Sequence, residues 1–140
     1  MINFIYKGEA VGKGRPRVSR RGNYVHTYTP EKTRIFEEAL LYTFMASTRE
    51  EMPVYKREQA LKTEVRIGVA IPKSYSKRKR EACLSGELAP SKKPDIDNIL
   101  KAIFDALNGY AYEDDAQIVQ IRAEKFYTED PYVEVTINEL

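Results

Sequence analysis

Five of the chain's six aspartates, Asp95, Asp97, Asp105, Asp114 and Asp115, fall within the 26 residues KPDIDNILKAIFDALNGYAYEDDAQI, 93 to 118, and none precedes them. An i,i+4 series, Asp97, Lys101 and Asp105, would form a helix-surface ion network worth only about 0.3–0.5 kcal/mol per pair. That accounts for two of the acids. Asp95 beside Asp97, and Asp114 beside Asp115, remain as like charges that repel unless a cation lies among them. The chain has one histidine, His26, and one cysteine, Cys83, so a zinc site built from such residues is excluded and any metal must be held by oxygen. Clustered carboxylates suit Mg²⁺, which keeps several waters, takes one or two protein carboxylates and completes its shell with substrate phosphate. In phosphodiester hydrolysis such a site activates water, orients the phosphate and stabilises the leaving oxygen, and Lys101 would add positive charge at the scissile phosphate. Two competing patterns fail. An EF-hand needs a mid-loop glycine and a distal Glu where this segment carries Ile99, Leu100 and Phe104. A restriction-type nuclease reading of Pro94-Asp95 needs a later acid-any-lysine triplet, whereas Glu124 and Lys125 are adjacent.

The net charge of +2 conceals an uneven distribution: residues 1 to 92 hold 19 Lys and Arg against 10 Glu, and residues 93 to 140 hold 4 against 11 acids. A basic surface for an anionic partner, with an acidic cluster beside it, follows from that asymmetry. Lys13, Arg15, Arg17, Arg20 and Arg21, and the run Lys77, Arg78, Lys79 and Arg80, are the cations expected to contact such a partner, a nucleic-acid backbone among the candidates.

These residues need elements to hold them. INFIYKGEAV reads as a strand over 2 to 11, broken by GKGRPR, after which VSRRGNYVHTY reads as a hairpin turning at Arg21-Gly22-Asn23. Thr29-Pro30-Glu31 has the form of a helix start, with Thr29 as cap, and the helix should run to about Met45 on an apolar face of Ile35, Phe36, Ala39, Leu40 and Phe44. A charged connection interrupted by Pro53 leads to EVRIGVAIP, in which Val65, Ile67, Val69 and Ile71 alternate as in a strand. A short basic helix from about Ser76 to Leu84 ends near Gly86, and residues 87 to 94 form a loop. Asp95 or Asp97 caps a helix over about 97 to 107 that buries Ile96, Ile99, Leu100, Ile103, Phe104 and Leu107 and puts Asn98, Lys101 and Asp105 on its other face. AQIVQIRAEKFY and PYVEVTINEL are two further strands. The series β, β-hairpin, α, β, α, α, β, β predicts one α+β domain spanning residues 1 to 140.

A chain of 140 residues can bury roughly two thirds of its unfolded surface without a staple. No apolar run approaches the ~20 residues of a membrane span, and the N-terminus lacks a signal-peptide layout, so a cytoplasmic location is expected. Cys83 has no base partner nearby and His26 lies in an expected strand; both read as structural.

The series Asp-x-Asp-Asn, Lys, Asp-Ala-Leu, Asp-Asp-Ala-Gln, running through KPDIDNILKAIFDALNG and YEDDAQI, closely resembles the RusA family of Holliday-junction resolvases, small endodeoxyribonucleases mostly of phage and prophage origin. GKGRPR and YTPEKT resemble members from Gram-positive phages. The resemblance implies a mixed sheet flanked by helices, a homodimer, Mg²⁺ with Mn²⁺ often substituting, and a branched DNA substrate, the four-way junction. It implies that Asp95, Asp97 and Asp115 are the catalytic, metal-holding carboxylates and Lys101 the catalytic lysine. Asn98, Asp105, Asp114 and Gln117 fall on family motif positions as support for the site. The basic loop departs from the enterobacterial members, so their cleavage-sequence preference is not carried over. The rivals are a non-catalytic branched-DNA-binding protein of the same fold, a flap- or fork-specific nuclease, and an RNA nuclease of similar chemistry.

Overall fold

A computed structural model describes residues 1–140. Its order is β1 (Ile2–Lys7), β2 (Arg17–Arg21), β3 (Tyr24–Tyr28), α1 (Glu31–Ser47), β4 (Leu61–Ala70), α2 (Lys77–Ser85), α3 (Ile96–Leu107), a 3₁₀ turn (Asp115–Gln117), β5 (Ile118–Thr128) and β6 (Tyr132–Glu139). The order is the α+β series expected, in one domain with a mixed sheet. Strands align as β1-β6-β4-β5, with β4 parallel to β5 and the other two pairings antiparallel; β2 and β3 make a separate two-stranded ribbon.

The period of two along the strands decides the layers. Ile2 and Phe4 of β1, Leu61, Val65 and Ile67 of β4, and Val133, Val135 and Ile137 of β6 are buried on one face. Phe36, Leu40 and Phe44 of α1 and Ile99, Ile103 and Leu107 of α3 pack into the same core. The opposite face carries Asn3, Ile5, Lys62, Glu64, Gln120, Arg122 and Glu124, all exposed. α2 closes a smaller cluster of Ile71, Cys83 and Tyr127 beside β5, where the free Cys83 is buried. No helix is long and apolar enough to cross a membrane.

Four local expectations change. β1 stops at Lys7 rather than at residue 11: its partner β6 begins at Tyr132 opposite Lys7, and only the Gly8 amide, donating to the Pro131 carbonyl at 3.0 Å, extends the pairing. α1 takes Pro30, not Thr29, as its cap residue and has no side-chain cap bond. Ile35 is 54% exposed, and Thr33 occupies the buried stripe instead. His26 is exposed on β3 and stacks near-parallel to Tyr28. Boundaries elsewhere follow the sequence closely: Ser76 caps α2 through the Lys79 amide, and Gly86 ends it at φ 86°, where glycine carries no Cβ penalty.

Candidate active site

α3 is the base of the site. Its apolar stripe faces the sheet, which turns Asp97, Asn98 and Lys101 outward as exposed residues on the remaining arc, with Asp105 half-buried beside them. Asp95 is the cap residue by backbone position, its carbonyl accepting the Ile99 amide at 3.1 Å, yet its carboxylate makes no capping bond, and neither the Asp95 nor the Asp97 carboxylate has a hydrogen-bond or ion-pair partner. Both are therefore free oxygen donors at the helix entry. Lys125 of β5 fixes the approach to that entry, its ammonium donating to the Lys92 carbonyl at 2.9 Å and the Pro94 carbonyl at 3.0 Å.

Asp114 and Asp115 arrive on the turn that follows α3. The phenol of Tyr112, buried, donates to the Phe104 carbonyl at 2.7 Å and pins this loop under the helix. Gln117, 7% exposed, then holds the turn from four sides. Its Oε1 accepts the amides of Glu113 (2.9 Å) and Asp114 (3.0 Å), and its Nε2 donates to the carbonyls of Lys56 (2.7 Å) and Gln59 (3.1 Å). Asp114 caps the 3₁₀ turn by accepting the Ala116 amide, and the Asn108 side chain accepts the Asp115 amide at 3.2 Å. Burial, a hydrogen bond with Asp114 and the charges of Asp114 and Asp105 push the Asp115 carboxyl above its ordinary 3.8, opposed in part by Lys101.

Along α3 the rise of 1.5 Å per residue sets Asp105 about 12 Å beyond Asp97. Asp95 with Asp97, and Asp105 with Asp114 and Asp115, are thus two acidic ends of one face, with Lys101 between them and 3.3 Å from Asp105. No three acidic, histidine or cysteine side chains converge as a ready-made cation cage. The donor set still suits Mg²⁺: two unpartnered carboxylates at the α3 entry match the one or two protein ligands this ion takes when waters and substrate phosphate fill the rest.

The basic loop is docked against this face. The Lys13 amide donates to the Asn98 carbonyl at 2.8 Å. Thr33 of α1 holds the loop on its other side, its hydroxyl accepting the Gly14 amide at 3.1 Å and donating to the Gly12 carbonyl at 3.3 Å. The glycines are close-contact positions: a Cβ on Gly12 would come within 3.2 Å of the Cβ atoms of both Asn98 and Pro94, and one on Gly14 within 2.8 Å of the Pro30 ring. Lys13 itself turns inward, bridging Glu37 at 2.5 Å and Asp105 at 3.2 Å. Burial would lower its pKa, and those two acids more than reverse the effect, leaving it raised. Arg15, Arg17, Arg20 and Arg21 are exposed and without acidic partners, as are Lys77, Arg78 and Lys79; Arg80 is half-buried. Lys79 also lies 4.0 Å over the Tyr75 ring.

Sequence reasoning missed Thr33, Asn108 and Lys125, whose work is to hold backbone in place. Thr33 had a signal in hindsight, a hydroxyl on the apolar stripe of α1, while Lys125 drew notice only as a neighbour of Glu124.

Comparison with known proteins accords with this arrangement. The family model described as endodeoxyribonuclease RusA matches residues 7–138. The chain is also 38% identical over 141 residues to the uncharacterized protein YqaN of Bacillus subtilis (strain 168), covering 99% of this chain and 96% of that one. With an acidic α3 face, a docked basic loop and a family match over nearly its whole length, the chain belongs to the RusA endodeoxyribonuclease family.

Proposed function

We propose that this protein is a Mg²⁺-dependent endonuclease that acts in the cytoplasm as a homodimer and resolves four-way DNA junctions by paired symmetric nicks. The observation that carries the reading is the docking of the GKGRPR loop on the α3 entry: it sets an acid-free cationic segment, residues 10 to 30, beside two carboxylates that have no protein partner. A surface with only structural acids would pair them with those cations. Here they stand open next to an anion-binding surface.

Asp95 and Asp97 would hold the ion, with Mn²⁺ able to replace Mg²⁺, and Asp115, near Lys101 and Asp105, would be the third carboxylate of the site. When bound, the ion supplies an activated water and neutralises charge on the phosphate. Lys101, exposed midway along the face, would stabilise the charge that builds on the phosphoryl oxygens, its ammonium held by Asp105, which Lys13 bridges from the other side. Lys125 fixes the backbone that leads into Asp95 through the Lys92 and Pro94 carbonyls. Gln117, Asn108 and Asp114 fix Asp115. Arg15, Arg17, Arg20, Arg21 and the cations of α2 bind backbone phosphates, which places the junction by geometry and charge and not by base sequence.

Cleavage of an end-labelled four-way junction tests this, compared with linear duplex, a flap and an RNA duplex, by wild type and Asp97→Asn, in Mg²⁺ and in EDTA. Paired symmetric nicks in the junction alone are expected, lost with Asp97→Asn or EDTA while binding survives. Tight junction binding without any metal-dependent cut would make the protein a non-catalytic junction binder. Cutting confined to the flap or to RNA would reassign the substrate.

A further inference from the structure

The β2–β3 ribbon is not explained by the cleavage chemistry. It joins neither the four-stranded sheet nor its core, and nine of its ten residues are exposed. A two-stranded hairpin is marginally stable by itself in water, and this one pairs with no strand of the main sheet. Its apolar residues face outward: Tyr24 is 80% exposed, Val18 64% and Val25 60%.

The register sorts its side chains. Arg17 lies opposite Tyr28, Ser19 opposite His26 and Arg21 opposite Tyr24. Alternation along each strand then puts all six on one face. That face is a row of three rings, Tyr24, His26 and Tyr28, edged by two guanidinium groups, and Ser19, Arg21 and the three rings line a shallow recess. The His26 and Tyr28 rings are inclined by only 15° with centroids 6.3 Å apart. Residues 10 to 30 hold five Lys and Arg and no acid, so the complementary partner is anionic.

We infer that this face is a base-stacking platform for unpaired nucleotides at a DNA branch point. Rings interleaved with arginines are how proteins hold single-stranded nucleic acid, the rings taking bases and the cations taking phosphates. Intact duplex offers its bases only as groove edges, whereas a branch point offers bases that can leave the stack. The ribbon thereby supplies a preference for branched over linear DNA that phosphate contacts alone cannot. The inference rests on the junction-binding part of the proposed function and not on cleavage.

The test is equilibrium binding in EDTA of a synthetic four-way junction carrying 2-aminopurine at the exchange point, set against linear duplex of the same sequence. The proteins are wild type, Tyr24→Ala/His26→Ala/Tyr28→Ala, and Tyr24→Phe/Tyr28→Phe. Wild type should shift the 2-aminopurine emission and prefer junction to duplex. The triple alanine variant should lose the emission shift and at least about tenfold of the preference, with duplex affinity and its salt slope unchanged within about twofold. The phenylalanine variant, which keeps its rings, should retain both. A triple variant that keeps the preference and the signal overturns the inference. So does one that changes the oligomeric state in light scattering, which would make the ribbon's partner a second copy. Loss of the signal in the variant alongside a wild type that cuts no DNA would support the platform and refute the nuclease; cutting by wild type with no emission shift would do the reverse.

Discussion

At the scale of residues, the acidic face is arranged at some cost to stability. Asp115 is crowded by Asp114 and Asp105 and partly removed from water, and its carboxyl is pushed above 3.8. The folded state therefore binds a proton more readily than the unfolded one. Between 3.8 and the raised value, stability falls as pH rises, and above that window the penalty is fully present. Asp115→Asn cannot ionise and is free of it. In EDTA at pH 7 the variant should melt higher than wild type, with the advantage gone near pH 3, and in Mg²⁺ its junction cleavage should be lost. Melting curves from pH 3 to 7 read this directly; a variant less stable than wild type at pH 7 would mean that the Asp115 carboxylate is structural. Asp95 and Asp97 stand out for a different reason: Asp95 is the cap residue of α3 and Asp97 lies in its first turn, where a carboxylate ordinarily caps or pairs, and neither carboxylate does.

At the scale of elements, the site depends on backbone placed by side chains that touch no substrate. Gln117 ties the Asp114–Asp115 turn to the segment before β4 through four hydrogen bonds, and it is buried. Gln117→Leu would leave two amides without their acceptor and two carbonyls without their donor. The expected destabilisation is about 2–4 kcal/mol, read as a lower denaturation midpoint at unchanged m-value. Cleavage by the folded fraction should fall as well, because the turn that carries Asp115 loses its anchor. A midpoint within error of wild type would show that water replaces these bonds at no cost. Helix α3 was readable in advance because its apolar period and its polar face agree. The α1 stripe was misread at Ile35 because the loop needed an anchor, and Thr33 took the inward position to hold Gly12 and Gly14.

At the scale of the whole molecule, two charge populations met in the fold without cancelling. Only Lys13 of the basic loop is spent on internal ion pairs; Arg15 and Arg17 remain exposed. Arg15→Ala and Arg17→Ala should each weaken junction binding and reduce the slope of log K against log[salt] by about one, leaving turnover at saturating DNA within about twofold. Loss of turnover at saturation would make either residue catalytic rather than a phosphate contact. The sequence by itself determined the element order, the buried face of α3, the restriction of any metal to oxygen ligands, and the clustering of Asp95, Asp97, Lys101, Asp105, Asp114 and Asp115, since periodicity, residue chemistry and spacing are local properties of the chain. Tertiary structure alone decided that the sheet runs β1-β6-β4-β5, that Asp115 returns to lie near Asp105 and Lys101, that Lys13 faces inward while Arg15 and Arg17 face solvent, and that Thr33, Asn108, Gln117 and Lys125 hold the backbone. Each of these depends on which distant segments meet, and that is set by how the apolar faces of all the elements pack together, a property that no window of neighbouring residues contains.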